Sequence, residues 1–333
     1  MAELSHQRPT EAPSRVFLTG ALGFIGRAIA DRYAAEGVEV RGVDVNADPA
    51  RDVVAGDVRE PGAWQRHAEG CDVVIHLAAI LGFGGRHEDF WRINVVGTRN
   101  VLDAAVATGA TRFVHTSSIV VFGDSFTGTV DERTPVRLTG RPYTDTKIAS
   151  EQVVLQAHAA GELACTIVRP GDVYGPGSRP WVVLPLEAIR RRQVVLPAGG
   201  RGVLSPVYVD DLVDGYLRAA SEPAALGQVI TLTGPEPVET REFLRHHFDW
   251  LGMRGPTVVP TPLAIGMAAV ADAFYRLRGK PSEANPGAVR YMTRRGTISI
   301  DRARELLGYE PRVGLDEGMR RSREWAQAAG LLG

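Results

Sequence analysis

Along the first half of the chain, short apolar runs alternate with longer stretches in which apolar residues recur every three or four positions. The runs are "RVFLTG" (15–20), "VEVRGVD" (38–44), "DVVIHLAA" (72–79), "TRFVHTSS" (111–118) and "LACTIVRP" (163–170), and each predicts a strand. Between them the longer spacing predicts helices over 23–37, 88–108 and 143–160. Val- and Ile-rich strands separated by helices call for an α/β fold with a parallel sheet covered on both faces. The helices around 90–106 and 148–157 are apolar on more than one side. That pattern fits burial against both the sheet and a second subunit, or enclosure in a larger core. After Gly175 the rhythm breaks. "GPGSRP" opens a segment rich in Pro, Gly and Arg, "SPVYVDDLVDGYLRAA" (205–220) returns to strand-then-helix, and "GQVITLTG" (227–234) is one more strand. Residues 235–333 read as mainly helical, with late helices at 301–308 and 315–330.

Composition narrows this picture without redirecting it. A chain of 333 residues has a length prior of about two domains. Its 38 basic residues against 39 acidic leave a net charge of −1, which gives no electrostatic reason to expect nucleic acid or an anionic membrane as partner. The cysteines, Cys71 and Cys165, both sit in apolar runs, as buried thiols of a reducing compartment do. The first fourteen residues are polar and carry no apolar core, so 1–14 reads as a tail and not a signal peptide. "PLAIGMAAVADAF" is too short to span a bilayer and contains Asp272. The expected location is cytoplasmic.

The first strand runs directly into "GALGFIGRAIADRY", where Gly20, Gly23 and Gly26 are spaced three apart. In a strand-to-helix turn such glycines allow the tight turn, the approach of a pyrophosphate and close helix–strand packing, while the helix N-terminus offers N–H groups to the phosphates. The next strand ends at Asp44, at the offset expected of an acid that binds an adenosine ribose. A carboxylate there repels a 2′-phosphate, so NAD is favoured over NADP; Arg41 and Arg51 nearby keep NADP as the lesser option, and a turn-capping Asp44 is the plain alternative. Asp57 follows a short strand, where it can accept from an adenine amino group, and Ala78 and Ala79 are small where a dinucleotide must pass. No Gly-Lys-Ser/Thr follows the glycines, which excludes a P-loop kinase. His76 lies in an apolar strand and reads as a core residue; Arg190, Arg191 and Arg192 read as a solvated helix face; His246, His247 and Asp249 read as a surface helix, not a metal site.

The candidate chemistry is Tyr143 four positions ahead of Lys147, side by side on one helix face. A free tyrosine has a pKa of about 10, so making it a base near pH 7 takes about 4 kcal/mol of preferential phenolate stabilisation. One fixed cation supplies part of that and a cationic cofactor could supply the rest.

"TGALGFIG", "HLAA", "HTSSIVVFGD", "YTDTK" and "RPGDVYGPG", in that order, resemble the extended short-chain dehydrogenase/reductase superfamily over residues 15–234, with a looser similarity in the C-terminal ending. The resemblance implies a Rossmann-type doubly wound sheet (15–175, completed by 203–234) and a smaller, mostly helical substrate lobe (176–202 and 235–333). It makes Tyr143 the proton-transfer residue, Lys147 its partner and nicotinamide-ribose ligand, and Ser118 the holder of the substrate oxygen. The cofactor would lie along Gly20, Gly23, Phe24, Ile25, Gly26, Asp44, Asp57, Val58, Leu77, Ala78, Ala79, Pro170 and Val173. Phe122 stands where tyrosine is commoner. A homodimer through the helices near 88–108 and 143–160 is a further expectation of the resemblance.

Three reactions share this apparatus. Dehydratases place an acidic pair after the Ser/Thr, whereas here Ile119 and Val120 follow. Nucleotide-sugar epimerases carry Asn where this chain has Asp172, and Arg-Asp where it has Leu204-Ser205. Leu81, Phe83, Ile119 and Val120 suggest an apolar substrate. The pattern is most similar to the 3β-hydroxysteroid dehydrogenase-like branch, which implies secondary alcohol/ketone redox on a hydrophobic, steroid-like scaffold. The alternative is a nucleotide-sugar 4-epimerase. A non-catalytic NAD-binding regulator is the third reading, and the presence of Ser118, Tyr143 and Lys147 together argues against it.

Overall fold

The computed structural model describes residues 13–82, 84–124, 126–278, 282 and 285–332. Its centre is a seven-stranded parallel sheet: β1 (Arg15–Thr19), β2 (Glu39–Asp44), β3 (Val53–Ala55), β4 (Val73–His76), β5 (Arg112–Thr116), β7 (Ala164–Pro170) and β12 (Val229–Leu232). The order across the sheet is β12-β7-β5-β4-β1-β2-β3. Val16, Phe17, Leu18 and Ile75 are wholly buried, as strands covered on both faces must be. Short strand pairs lie outside it: β6 (Thr129–Val130) with β15 (Thr297–Ile298), β8 (Asp172–Tyr174) with β11 (Pro206–Tyr208), β9 (Val195–Leu196) with β14 (Thr257–Val258), and β10 (Val203–Leu204) with β13 (Val238–Glu239).

From β1 the chain moves outward through β2 to β3, then returns to the other side of β1 to form β4. The reversal opens a crevice beyond the C-terminal ends of β1 and β4, where ligands of open α/β sheets bind. Helix α1 (Phe24–Ala35) starts at this crevice. Opposite it, α2 (His87–Trp91) runs through a π-helical turn, Arg92–Val96, into α3 (Gly97–Ala107), within the single helix expected over 88–108. Helix α4 (Pro142–Ala159) opens on a proline, a residue suited to a first helical turn because its missing N–H would be unpaired there.

The remaining helices are α5 (Leu184–Arg190), α6 (Val209–Ser221), α7 (Thr240–Trp250), α8 (Thr261–Leu277), α9 (Pro286–Tyr291), α10 (Asp301–Leu307) and α11 (Leu315–Ala328). Leu307, Tyr309 and Met319 join the same buried cluster as Leu18, Ile75 and Val168. Asp211 of α6 accepts hydrogen bonds from the N–H groups of Arg312 and Val313. The end of the chain is thereby packed into the core of the large sheet.

Two details differ from the sequence reading. Residues 1–12 lie outside the described residues, but Ser14, assigned to the tail, is tied down: its N–H and hydroxyl both donate to Asp72, at 2.8 and 2.7 Å. His247 is buried, with Nε2 2.9 Å from the Trp181 carbonyl, so this helix is not simply a surface one; Asp249 lies on the outer side and His246 is three-quarters buried. The reason is amphipathicity, which sequence proximity hides: adjacent helical residues point about 100° apart. Arg190, Arg191 and Arg192 are exposed, as expected. Cys71 and Cys165 are free and buried.

Candidate active site

The crevice is shaped first by main chain. Gly20 adopts φ +67°, a conformation open to glycine, and a Cβ on it would sit 3.0 Å from the Ala78 nitrogen. A Cβ on Gly26 would lie 2.3 Å from the Gly20 carbonyl oxygen, so no other residue fits without moving backbone. The helix that starts at Phe24 has no side-chain cap, which leaves its first N–H groups facing the crevice end of the sheet, with Phe24 and Ile25 half-buried there. Asp44 accepts from the N–H of Leu22 (2.9 Å) and of Val45 (2.7 Å). It does cap this turn, and each carboxylate oxygen keeps further acceptor capacity. The cations that kept NADP open are engaged elsewhere: Arg51 with Asp31 at 2.6 Å, and Arg41 with Glu39 at 2.9 Å.

Asp57 is held by Arg59, whose guanidinium keeps the carboxyl below the usual range. The Val58 side chain is buried against Gly97 of α3, and its carbonyl accepts from Asn100 at 2.8 Å, so only its main chain is placed to meet a ligand. Leu77 and Ala78 follow β4, and their N–H groups donate to the Thr19 hydroxyl, each at 3.2 Å. Ala79 follows them and is half-buried.

Across the crevice stand Ser118, Tyr143 and Lys147. The Ser118 hydroxyl lies near enough to the Tyr143 phenol to favour its charged form. Lys147 is buried and donates through Nζ to the Thr116 carbonyl at 2.7 Å. Burial lowers the Lys147 ammonium to about 8, with Glu151 acting in the opposite direction. Burial also pushes the Tyr143 phenol up to about 12, opposed by Ser118. Lys147 is not among the causes acting on the phenol here. Its ammonium is aimed at a carbonyl, and desolvation of the phenolate dominates.

Several supporting residues escaped the sequence reading. The π turn presents Asn94, which accepts from the Ile80 N–H (2.9 Å) and donates to the Thr146 hydroxyl (3.0 Å), pinning the 77–80 loop to α4. The Tyr216 hydroxyl donates to the Thr116 hydroxyl at 2.8 Å, steadying the residue whose carbonyl receives Lys147. Glu151, one turn beyond Lys147, takes Arg169 in a buried bidentate pair (2.8 and 2.7 Å) and also accepts from Ser117. The links span 14 to 100 residues, and no local spacing announces them. His76 is the core residue expected: it is buried between the hydroxyls of Thr19 and Thr98, and desolvation lowers it to about 3.

Pro170 ends β7 and Val173 lies in β8, both buried on the substrate side. There Asp172 is closed off: Tyr291 donates to one oxygen, the Ser205 N–H to the other (2.8 Å), and Arg294 lies 3.5 Å away with its guanidinium over Tyr291. Among the suggested apolar walls, Leu81 is exposed and Val120 half-buried, whereas Ile119 is buried under Phe122 and Val130 and faces away; Phe83 lies outside the described residues.

Residues 16–232 match the model of the NAD dependent epimerase/dehydratase family. The chain belongs to that family. It is an enzyme of the extended short-chain dehydrogenase/reductase type, and NAD is the family's cofactor. The glycine cradle, the open helix end and Asp44 fit a dinucleotide.

Among relatives in the family, the 4-hydroxy-2-methyl-3-oxo-4-farnesyl-3,4-dihydroquinoline-1-oxide ketoreductase of Stigmatella aurantiaca is 32% identical over 320 residues, covering 92% of this chain and 94% of its own. The 3 beta-hydroxysteroid dehydrogenase/Delta 5-->4-isomerase of Mycobacterium tuberculosis is 30% identical, covering 89% and 86%. Among solved structures, MoeE5 in complex with UDP-glucose and NAD superposes with a TM-score of 0.77 at 26% identity, covering 95% and 99%.

Proposed function

We propose that this protein is an NAD-dependent oxidoreductase interconverting a secondary alcohol and a ketone on an apolar, steroid- or prenyl-like scaffold. The observation that carries the reading is the grouping of Ser118, Tyr143 and the buried Lys147 at the open end of a glycine-cradled crevice. The dinucleotide would rest on Gly20, Gly23, Phe24, Ile25 and Gly26, with Asp44 toward the ribose, Asp57 and Val58 toward the base, and Leu77, Ala78, Ala79, Pro170 and Val173 along its path. NAD, when bound, would supply the hydride acceptor for the alcohol carbon. Ser118 holds the substrate oxygen, Tyr143 takes its proton, and Lys147 fixes the nicotinamide ribose and adds positive charge once its distance to the phenol shortens. In reverse, Tyr143 gives the proton to the ketone oxygen. General acid–base transfer of this kind contributes about 10²–10⁴-fold.

The apolar scaffold is supported by the engagement of Asp172 with Tyr291 and Arg294, which commits that guanidinium to an internal pair and not to a diphosphate. The names of the Stigmatella and Mycobacterium relatives, a farnesyl compound and a hydroxysteroid, point the same way. The second reading, a nucleotide-sugar 4-epimerase, draws on the UDP-glucose complex of MoeE5. Mixing the protein with NAD and either a panel of apolar secondary alcohols or UDP-hexoses separates them. NADH formed from the alcohols is expected; UDP-hexose interconversion without net NADH would overturn the proposal. The protein is expected to be a homodimer through α3 and α4, which light scattering checks directly.

A further inference from the structure

We propose that the exposed face of α8 docks this protein on the surface of an anionic lipid bilayer. The docking goes beyond the redox reading and stands without it. Helix α8 buries only Ala264 and Ala268. Five of its apolar side chains are presented outward: Leu263, Met267, Val270, Phe274 and Leu277 are all exposed, Val270 at 72% and Leu277 at 88%. At 100° per residue these five positions fall within about 80° of arc, a continuous ridge along the helix. A contiguous apolar ridge on a surface marks an interaction site, whereas scattered apolar residues do not.

Charge selects the partner. The helix carries a single acid, Asp272, paired with Arg276 at 2.9 Å on the side opposite the ridge. Arg278 lies 4.0 Å over the Phe274 ring, at the edge of the ridge. The helix ends at Leu277, and Arg278 directly follows it with no acid beside it in sequence. An apolar ridge bordered by a cation and an aromatic ring is matched to acyl chains below and anionic headgroups around. The net charge of −1 that argued against a membrane partner averages over the whole chain, while a bilayer meets only this face. A second copy is the poorer occupant, because five side chains of one helix fall far short of the about 20–30 residues a side of a stable interface. No helix among the described residues is long and apolar enough to cross a membrane, so α8 lies on the surface and does not span it.

Continuity with the crevice gives the docking a use. Beyond α8 the chain reaches Ser282, packed against Gly84, and then α9, where the Gly287 carbonyl accepts from Arg141, two residues before Tyr143. A bilayer seated on α8 would lie next to the segment that contacts Arg141 at the start of α4, on the route of an apolar substrate dissolved in lipid.

Co-sedimentation of the full chain with phosphatidylcholine vesicles, with and without phosphatidylglycerol, tests the proposal. Binding to the anionic vesicles, weakened by salt, is expected. The double change Val270→Asp and Leu277→Asp should lower the partition coefficient about tenfold or more with an unchanged melting temperature, because both sites are exposed. Arg278→Gln should weaken binding to anionic vesicles and flatten its salt dependence. Absence of binding to anionic vesicles overturns the docking. So does a fall in solution mass of the Val270→Asp, Leu277→Asp protein with vesicle binding unchanged, since the ridge would then join two copies. A protein that binds vesicles but oxidises no alcohol would remove the redox reading and leave this one intact.

Discussion

The two walls of the crevice are made of different material. On the cofactor side the working parts are main chain: Gly20 against Ala78, Gly26 against the Gly20 carbonyl, and the uncapped start of α1. On the substrate side they are long side chains brought from far apart, with Asp172, Tyr291 and Arg294 locked together and Arg169 paired to Glu151. Main chain cannot repack, whereas a side-chain network can be exchanged residue by residue. One wall can therefore serve a single ligand across a family while the other is rebuilt for each substrate.

The largest effect should come from the main-chain wall. Gly26→Val puts a branched side chain where a single Cβ already lies 2.3 Å from a carbonyl oxygen, and NAD binding by calorimetry should vanish. Affinity within threefold of the parent would break the comparison. Tyr143→Phe should lower turnover by about 10²–10⁴-fold with NAD affinity unchanged, because only the proton-transfer group is removed.

On the side-chain wall, Arg294→Met leaves Asp172 buried without its cation. Such a loss costs about 3–5 kcal/mol in urea unfolding. NAD affinity of the folded protein should not change, and a parallel loss would mean that the two walls are coupled.

A smaller effect belongs to Lys147. Its ammonium falls from 10.5 to about 8 in the fold. Below pH 8 both folded and unfolded chains hold the proton and the burial penalty is present in full. Between pH 8 and 10.5 the unfolded chain keeps a proton that the folded chain has released, so stability rises with pH. Tyr143 works the other way only above pH 10, where the unfolded phenol loses a proton that the folded one retains. Unfolding free energies measured from pH 8 to 10 should therefore rise by roughly 2 kcal/mol more in the parent than in Lys147→Met. The smallest effect concerns Asp44, a side chain in the main-chain wall. Asp44→Asn should cut the preference for NAD over NADP about tenfold, by removing the repulsion of a 2′-phosphate.

Legibility followed the same division. The glycine spacing, Asp44 and the strand rhythm are local signals, and the family match bears out the fold they implied. Asn94 was not legible, because a π turn has no spacing of its own and its partners, Ile80 and Thr146, lie 14 and 52 residues away. Ile119 was misread for a related reason: a residue next to Ser118 was expected to face the substrate, but the short helical turn at 119–122 directs it under Phe122.

By itself the sequence determined the alternating architecture, the dinucleotide turn and the placement of Tyr143 and Lys147 one turn apart on a single helix, because strand rhythm, glycine freedom and helical spacing act over a few residues. Only the tertiary structure decided where the Lys147 ammonium points, that Asp172 is neutralised from within, and that α8 keeps an apolar ridge in the open. Charge and burial depend on what the rest of the chain places within a few ångströms, and no stretch of sequence carries that information alone.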